Sequence, residues 1–266
     1  MLYCNFLFPE GRLKALTMSY DDGVPEDRRL VEIFNRYGIR GTFHLNSGRQ
    51  GDSTLEDAAV LYQGHEVSCH SKNHFSLDRI PGICVLQQLL EDRQKLESLV
   101  GYPVRGLSYP NGAFNTEILP RLSNVGIVYS RTTISTGHFA LPDDWLRWNP
   151  TCHHNDDLAG KAERFKALKS ALNVFYVWGH SYEFERQKTW ERIEGFCHDI
   201  SGQQDIWYAT NIEIYDYMQA ARNLQFSADG TLVFNPSCRS VWLNVQGVIR
   251  EIPGGQLEKL SSPESA

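Results

Sequence analysis

The sequence predicts an α/β fold, a distorted and incomplete (β/α) barrel of about seven parallel strands with a small C-terminal β appendage. Three observations predict it. Strand-like and helix-like segments alternate from residue 13 to about residue 224, which implies parallel strands joined by crossover helices. Side chains able to do chemistry collect where strands hand over to helices, the face on which barrel enzymes build their sites. Beyond residue 224 the period changes to short β runs separated by Ala228-Asp229-Gly230 and Gln246-Gly247 turns.

Leu13 to Tyr20 reads as the first strand, and Pro25 to Tyr37 as a helix opened by Pro and closed by Gly38. Gly41 to Asn46 is a strand, Ser53-x-x-Glu56 a capping box for the next helix, and Glu66 to His70 a strand. Leu86, Leu89, Leu90, Leu96, Leu99 and Val100 form a helical stripe that stops at Gly101. Val104 to Tyr109 and Ile127 to Thr132 are strands flanking a helix from Asn115 to Asn124. Ser135 to Asn155 is irregular and rich in Trp and His. Helices at Leu158 to Leu172 and Thr189 to Ile200 then alternate with strands at Val174 to Trp178 and Ile206 to Ala209. Thr210-x-x-Glu213 caps the final long helix. Residues 1–224 are therefore expected to form the barrel, and residues 225–266 a β appendage packed on it, with a frayed tail from Leu257.

The 266 residues suffice for one full-sized core, and 41% hydrophobic with 12% aromatic content excludes a disordered chain. A formal charge of −6 without a Lys/Arg run argues against nucleic acid, and no segment approaches a membrane span. The N-terminus lacks a basic start and a long apolar run, so a cytoplasmic location is expected. The six cysteines are scattered without a Cys-x-x-Cys pair and are read as free thiols. Cys69, next to His70, points away from any site that His70 enters.

The chemistry is concentrated in two stretches, Ser19-Tyr20-Asp21-Asp22-Gly23 and His70-Ser71-Lys72-Asn73-His74. Two imidazoles and one carboxylate can hold a divalent metal with an open position for water, which leaves one aspartate spare as a general base. Either motif alone is ambiguous, since Asp-Asp-Gly is an ordinary turn and His-x-x-x-His an ordinary surface pair. Both at strand ends of one barrel make a metal site.

With these residues the chain resembles the polysaccharide deacetylases, the NodB-homology group or carbohydrate esterase family four, over roughly residues 13–224. The resemblance implies that Asp21 is the base and that Asp22, His70 and His74 hold one divalent metal, with zinc favoured and cobalt or nickel compatible. The family's Arg-x-Pro-Tyr-Gly is matched loosely by Ser108-Tyr109-Pro110-Asn111-Gly112, which places Asn111 at the oxyanion position and removes the Arg. Arg105, three residues upstream, is a candidate replacement, with a surface Arg at a strand start as the alternative reading. The family's Leu-x-His is matched by Trp178-Gly179-His180, making His180 the general acid. Tyr109, Trp178 and Tyr182 are candidates to line a sugar groove, with core packing as the alternative for all three. The fourth family motif has two competing matches, Asp143-Asp144-Trp145 and Trp148 to His153, and His44, His153 and His154 receive no role.

The implied function is metal-dependent removal of N- or O-acetyl groups from a carbohydrate, with an acetylated glycan as partner. Two rivals stand beside it. A two-His, one-carboxylate set also serves non-haem Fe(II) oxygenases, though usually on antiparallel β folds, and a relative could bind carbohydrate without catalysis.

Overall fold

The computed structural model describes residues 3–260. Its elements are β1 (Cys4–Leu7), β2 (Lys14–Asp21), α1 (Asp27–Tyr37), β3 (Gly41–Leu45), α2 (Ala58–Leu61), β4 (Glu66–Cys69), α3 (Gly82–Val100), β5 (Gly106–Ser108), α4 (Leu119–Asn124) and β6 (Tyr129–Arg131). After these come β7 (Cys152–His153), α5 (Leu158–Ala167), β8 (Asn173–Gly179), α6 (Ser181–Gln187), α7 (Trp190–Ile200), β9 (Ile206–Tyr208) and α8 (Asn211–Arg222). The chain finishes with β10 (Gln225–Phe226), β11 (Leu232–Phe234), β12 (Val241–Val245), β13 (Val248–Ile252) and β14 (Leu257–Lys259).

Seven strands run in the order β6-β5-β4-β3-β2-β8-β7, every pair parallel, and β9 adds itself beside the first half of β2. The curled sheet is the expected distorted, incomplete barrel. Its open side is bridged at Arg131–Trp148, where Trp148 N–H donates to Ser130 O at 2.9 Å and Thr132 N–H to Trp148 O at 3.1 Å. Gly38 closes α1 in the left-handed conformation, and the Thr210–Glu213 box caps α8, both as expected. The Ser53–Glu56 box does not form, because α2 begins only after Asp57 and has no side-chain cap.

The strand period of two sorts the side chains into two sets. Leu16, Met18, Tyr20, Phe43, Leu45, Val67, Cys69, Leu107, Phe175 and Val177 join the helices in one buried apolar cluster. The alternate set is buried but polar, and its members bond to one another. Thr17 and Tyr176 meet Asn211 at the start of α8, Thr42 and Tyr129 donate to Glu66 at 2.9 and 2.7 Å, and Ser19 lies 2.9 Å from His44. Burial lifts the Glu66 carboxyl to about 7, and Ile212 N–H from α8 also donates to it at 2.9 Å.

Two small antiparallel sheets follow the barrel, β10-β11-β14 and β1-β12-β13. The second takes in β1 from the other end of the chain, pairing Cys4 with Val245 through Leu7 with Trp242. Leu257–Lys259, expected to fray, is strand β14 paired with β11, while residues 261–266 lie outside the described residues. No described helix is long and apolar enough to cross a membrane.

Candidate active site

The Asp22, His70 and His74 side chains converge at the C-terminal ends of β2 and β4. Asp22 takes φ 83° and Gly23 φ 61°, so the chain turns sharply and the two carboxylates leave in different directions. His70 and His74 do not sit on a helix. Ser71 at φ 59° and His74 at φ 55° fold the segment into a loop that brings both Nε2 atoms within 3.6 Å of Asp22 Oδ1. Two ligands about 2.1 Å from a tetrahedral centre stand about 3.4 Å apart, so the spacing fits a metal.

The protonation of His70 fits as well. Its Nδ1 lies 2.9 Å from the Ser108 carbonyl oxygen, an acceptor only, so Nδ1 carries the proton and Nε2 presents a bare lone pair toward Asp22. Asp92 on α3 steadies this loop, accepting from His70 N–H at 3.1 Å and Ser47 N–H at 2.8 Å. A cavity of about 300 Å³ opens beside the trio, lined by Asp22, Asn46, Gly48, Arg49, Lys72, Asn73 and His74.

Asp21 stands behind the trio, only 3% exposed. Burial alone would favour its neutral acid, but the guanidinium of Arg131, helped by the nearby histidines, holds it well below the usual carboxylate range. Ser108 Oγ donates to Asp21 Oδ1 at 3.0 Å, and its lone pairs face His70 Nδ1 at 2.6 Å. Arg131 comes from β6, and its guanidinium carbon lies 4.4 Å from the centre of the Trp178 ring. His44, buried below the trio and pushed down to about 3 by burial, is held between Ser19 and the Cys69 carbonyl.

His180 follows β8, close enough to Asp21 and Asp22 to feel both charges. Its Nδ1 is 2.7 Å from Glu183 Oε1, one helical turn on. Burial disfavours the imidazolium, yet Glu183, with Asp21 and Asp22 behind it, raises its proton affinity above the ordinary value. His153, His154 and Glu183 form a second group of ligand-type atoms, with His154 Nε2 3.1 Å and His153 Nε2 3.5 Å from the carboxylate.

Two expected site residues lie elsewhere. Arg105 donates to Asp216 on α8 at 2.7 Å and does not replace the missing Arg, because an odd spacing from Ser108 turns it away from the barrel interior. Tyr109 also faces outward. It is 1% exposed, donates to Leu146 O at 2.7 Å and stacks on Phe114, so it packs the core instead of lining a groove. Asn111 reaches the rim with φ 57°, its Nδ2 donating to Ser76 Oγ on the loop after His74 at 3.0 Å. Arg131 and Glu183 are the main side chains whose contacts the motifs did not foretell. The one signal for Arg131 is its position at a strand end, and for Glu183 its three-residue spacing from His180.

Residues 9–130 match the family model described as polysaccharide deacetylase. Among curated proteins, a chitin deacetylase from Pestalotiopsis sp is 22% identical over 136 residues, covering 50% of this chain and 46% of that protein. The uncharacterized protein YlxY of Bacillus subtilis is 19% identical over 111 residues, 42% of this chain and 35% of that protein. The chain thus spans less than half the length of these curated relatives. Among solved structures, a protein named as a polysaccharide deacetylase from Mycobacterium smegmatis superposes with a TM-score of 0.62 at 17% identity, over 84% of this chain and 96% of that one. A family 4 pseudoenzyme from Bacillus anthracis superposes with a TM-score of 0.51 at 17% identity, over 77% of this chain and 66% of that one. These likenesses establish the fold, and with the family match they bear out the resemblance read from the motifs.

Proposed function

We propose that the protein is a metal-dependent hydrolase that removes acetyl groups from a carbohydrate. The observation that carries this reading is the pairing of Asp22, His70 and His74, with a bare His70 Nε2, beside an Asp21 that Arg131 keeps ionised. A divalent metal, zinc by preference, fits this donor set and would supply Lewis acidity toward the acetyl carbonyl and an acidified water.

The chain's own residues do the rest. Asp21 accepts the proton of the attacking water, since it is ionised and lies 3.8 Å from His70 Nε2, at the edge of the metal position. Arg131 and Ser108 hold its two oxygens, so it cannot swing into the ligand set itself. Of the turn at Asn111, the Gly112 and Ala113 N–H groups are spent on Tyr109 O and Pro110 O, so the main-chain N–H of Asn111 is the one that would serve the oxyanion. His180 gives a proton to the departing amine or alkoxide. Trp178, through Arg131, and Tyr182, whose ring lies 5.1 Å from that of His180, shape the approach.

The oxygenase alternative is disfavoured by the parallel sheet and by an ionised carboxylate beyond the three ligands. Because a pseudoenzyme shares this fold, the decisive experiment is acetate release across acetylated oligosaccharides, with metal-stripped protein reloaded with zinc, cobalt or nickel. Turnover is expected only in reloaded protein. Asp21→Asn should keep the metal and lose about 10²–10⁴-fold in turnover. Full activity without metal, or in Asp21→Asn, would overturn the reading. Oxygen consumption with a keto acid would replace it.

A further inference from the structure

The site has a second cluster of ligand-type side chains, built around Glu183 and not absorbed by the proposed chemistry. Four donors from two parts of the chain aim at this one carboxylate. His180 Nδ1 is 2.7 Å and His153 Nε2 3.5 Å from Oε1, while Asn155 Nδ2 is 2.7 Å and His154 Nε2 3.1 Å from Oε2.

A metal would suit these distances as well, and the ring protons decide between the two readings. Asn155 N–H donates to His153 Nδ1 at 3.2 Å, so the His153 proton sits on Nε2, facing Glu183. A metal at that place would need Nε2 bare. His154 leans the same way, because its Nδ1 is buried against Gly179 without a partner. An unpaired lone pair is cheaper there than an unpaired N–H, which places the proton on Nε2, toward Glu183. The cluster is therefore a set of hydrogen bonds converging on one carboxylate.

His154 is also fixed in place. It is fully buried, its ring lies 4.2 Å from that of Phe184 and 5.7 Å from that of Tyr20, and its N–H donates to Trp178 O at 2.8 Å. It lies on the segment that closes the barrel between β6 and β8, while Glu183 lies on α6.

We infer that Glu183 is a positioning residue that fixes the orientation and tautomer of His180, and that His154 and Asn155 lock Glu183 from the barrel-closing segment. The inference rests on the acid role proposed for His180. With Nδ1–H held by Glu183, Nε2 becomes the nitrogen that exchanges a proton with substrate. Without Glu183 both tautomers and other rotamers become available, and only part of the population is oriented for donation.

The test uses the metal-loaded full chain with Glu183→Gln, Glu183→Asp and His154→Gln. Glu183→Gln should lose about 10–100-fold in turnover on an N-acetyl amide but less than about threefold on an activated aryl acetate, whose leaving group needs no proton. Glu183→Asp should recover part of the loss, and His154→Gln should lose less in the same direction. Imidazole nitrogen NMR should find His180 protonated at Nδ1 in the native protein and a mixture of tautomers in Glu183→Gln. That spectrum reads the inference even if no acetyl substrate turns over, so the two ideas fail separately. Equal losses on amide and aryl ester, unchanged His180 nitrogen shifts, or loss of a second equivalent of bound metal in Glu183→Gln would overturn it.

Discussion

The Asp22 cluster and the Glu183 cluster share a core of two histidines around one carboxylate, at spacings of 3.6 Å in the first and 3.1 to 3.5 Å in the second, to which the second adds His180 and Asn155. They are nevertheless prepared for opposite tasks. In the first, a main-chain carbonyl at Ser108 takes the Nδ1 proton of His70 and leaves Nε2 bare. In the second, a main-chain N–H at Asn155 occupies His153 Nδ1 and forces the proton onto Nε2. Side-chain composition alone would not separate them. At His70 and His153 the backbone group behind the ring decides whether the imidazole offers a lone pair to a cation or a proton to an anion.

The largest expected effect comes from breaking the first cluster. Asp22→Asn should lower metal affinity by more than the about 10–100-fold typical of an outer hydrogen-bond partner and abolish acetate release, while His153→Ala should leave metal content unchanged. Metal analysis after dialysis checks both. Retention of metal in Asp22→Asn, or its loss in His153→Ala, would erase the distinction between the two groups.

Next in size is Arg131→Met. It leaves Asp21 as a buried, unpaired charge, and loss of one partner of such a pair costs about 3–5 kcal/mol, measurable by denaturant unfolding. The smallest effect belongs to Ser108→Ala, which removes Oγ but keeps the carbonyl that sets the His70 proton. It should cost about 1 kcal/mol of stability and less than tenfold in metal affinity. A loss as large as that of Asp22→Asn would show that the hydroxyl, and not the main chain, prepares His70.

Much of this was legible in the sequence. The alternation of strand and helix gave the barrel, and Asp-Asp-Gly with His-x-x-x-His gave the trio, because both signals are local. The short strands β1 and β7 carry too few residues for a period, and β1 also pairs with a strand at the far end of the chain. Arg131 escaped because its partners come from β2 and β8, across the barrel. Arg105 and Tyr109 were misassigned for a reason the strand period already contained. They lie three and one residues from Ser108, odd steps that face the opposite side, whereas Trp178 and His180 share a side at an even step.

The polar lining of the barrel constrains how this protein can drift. An apolar layer tolerates single exchanges that keep volume and pattern. Here Tyr129 fills the space over Gly106, where any Cβ would run into the phenol ring, and donates to the same Glu66 that receives Thr42 and Ile212. A change at one of these positions strands a partner's donor or acceptor, or leaves a void, unless a second residue changes with it. Variation along the inner faces of β3 through β6 should therefore arrive in linked sets, with Gly106 tied to residue 129 and Thr42 to Glu66, while the helix-facing side varies one position at a time.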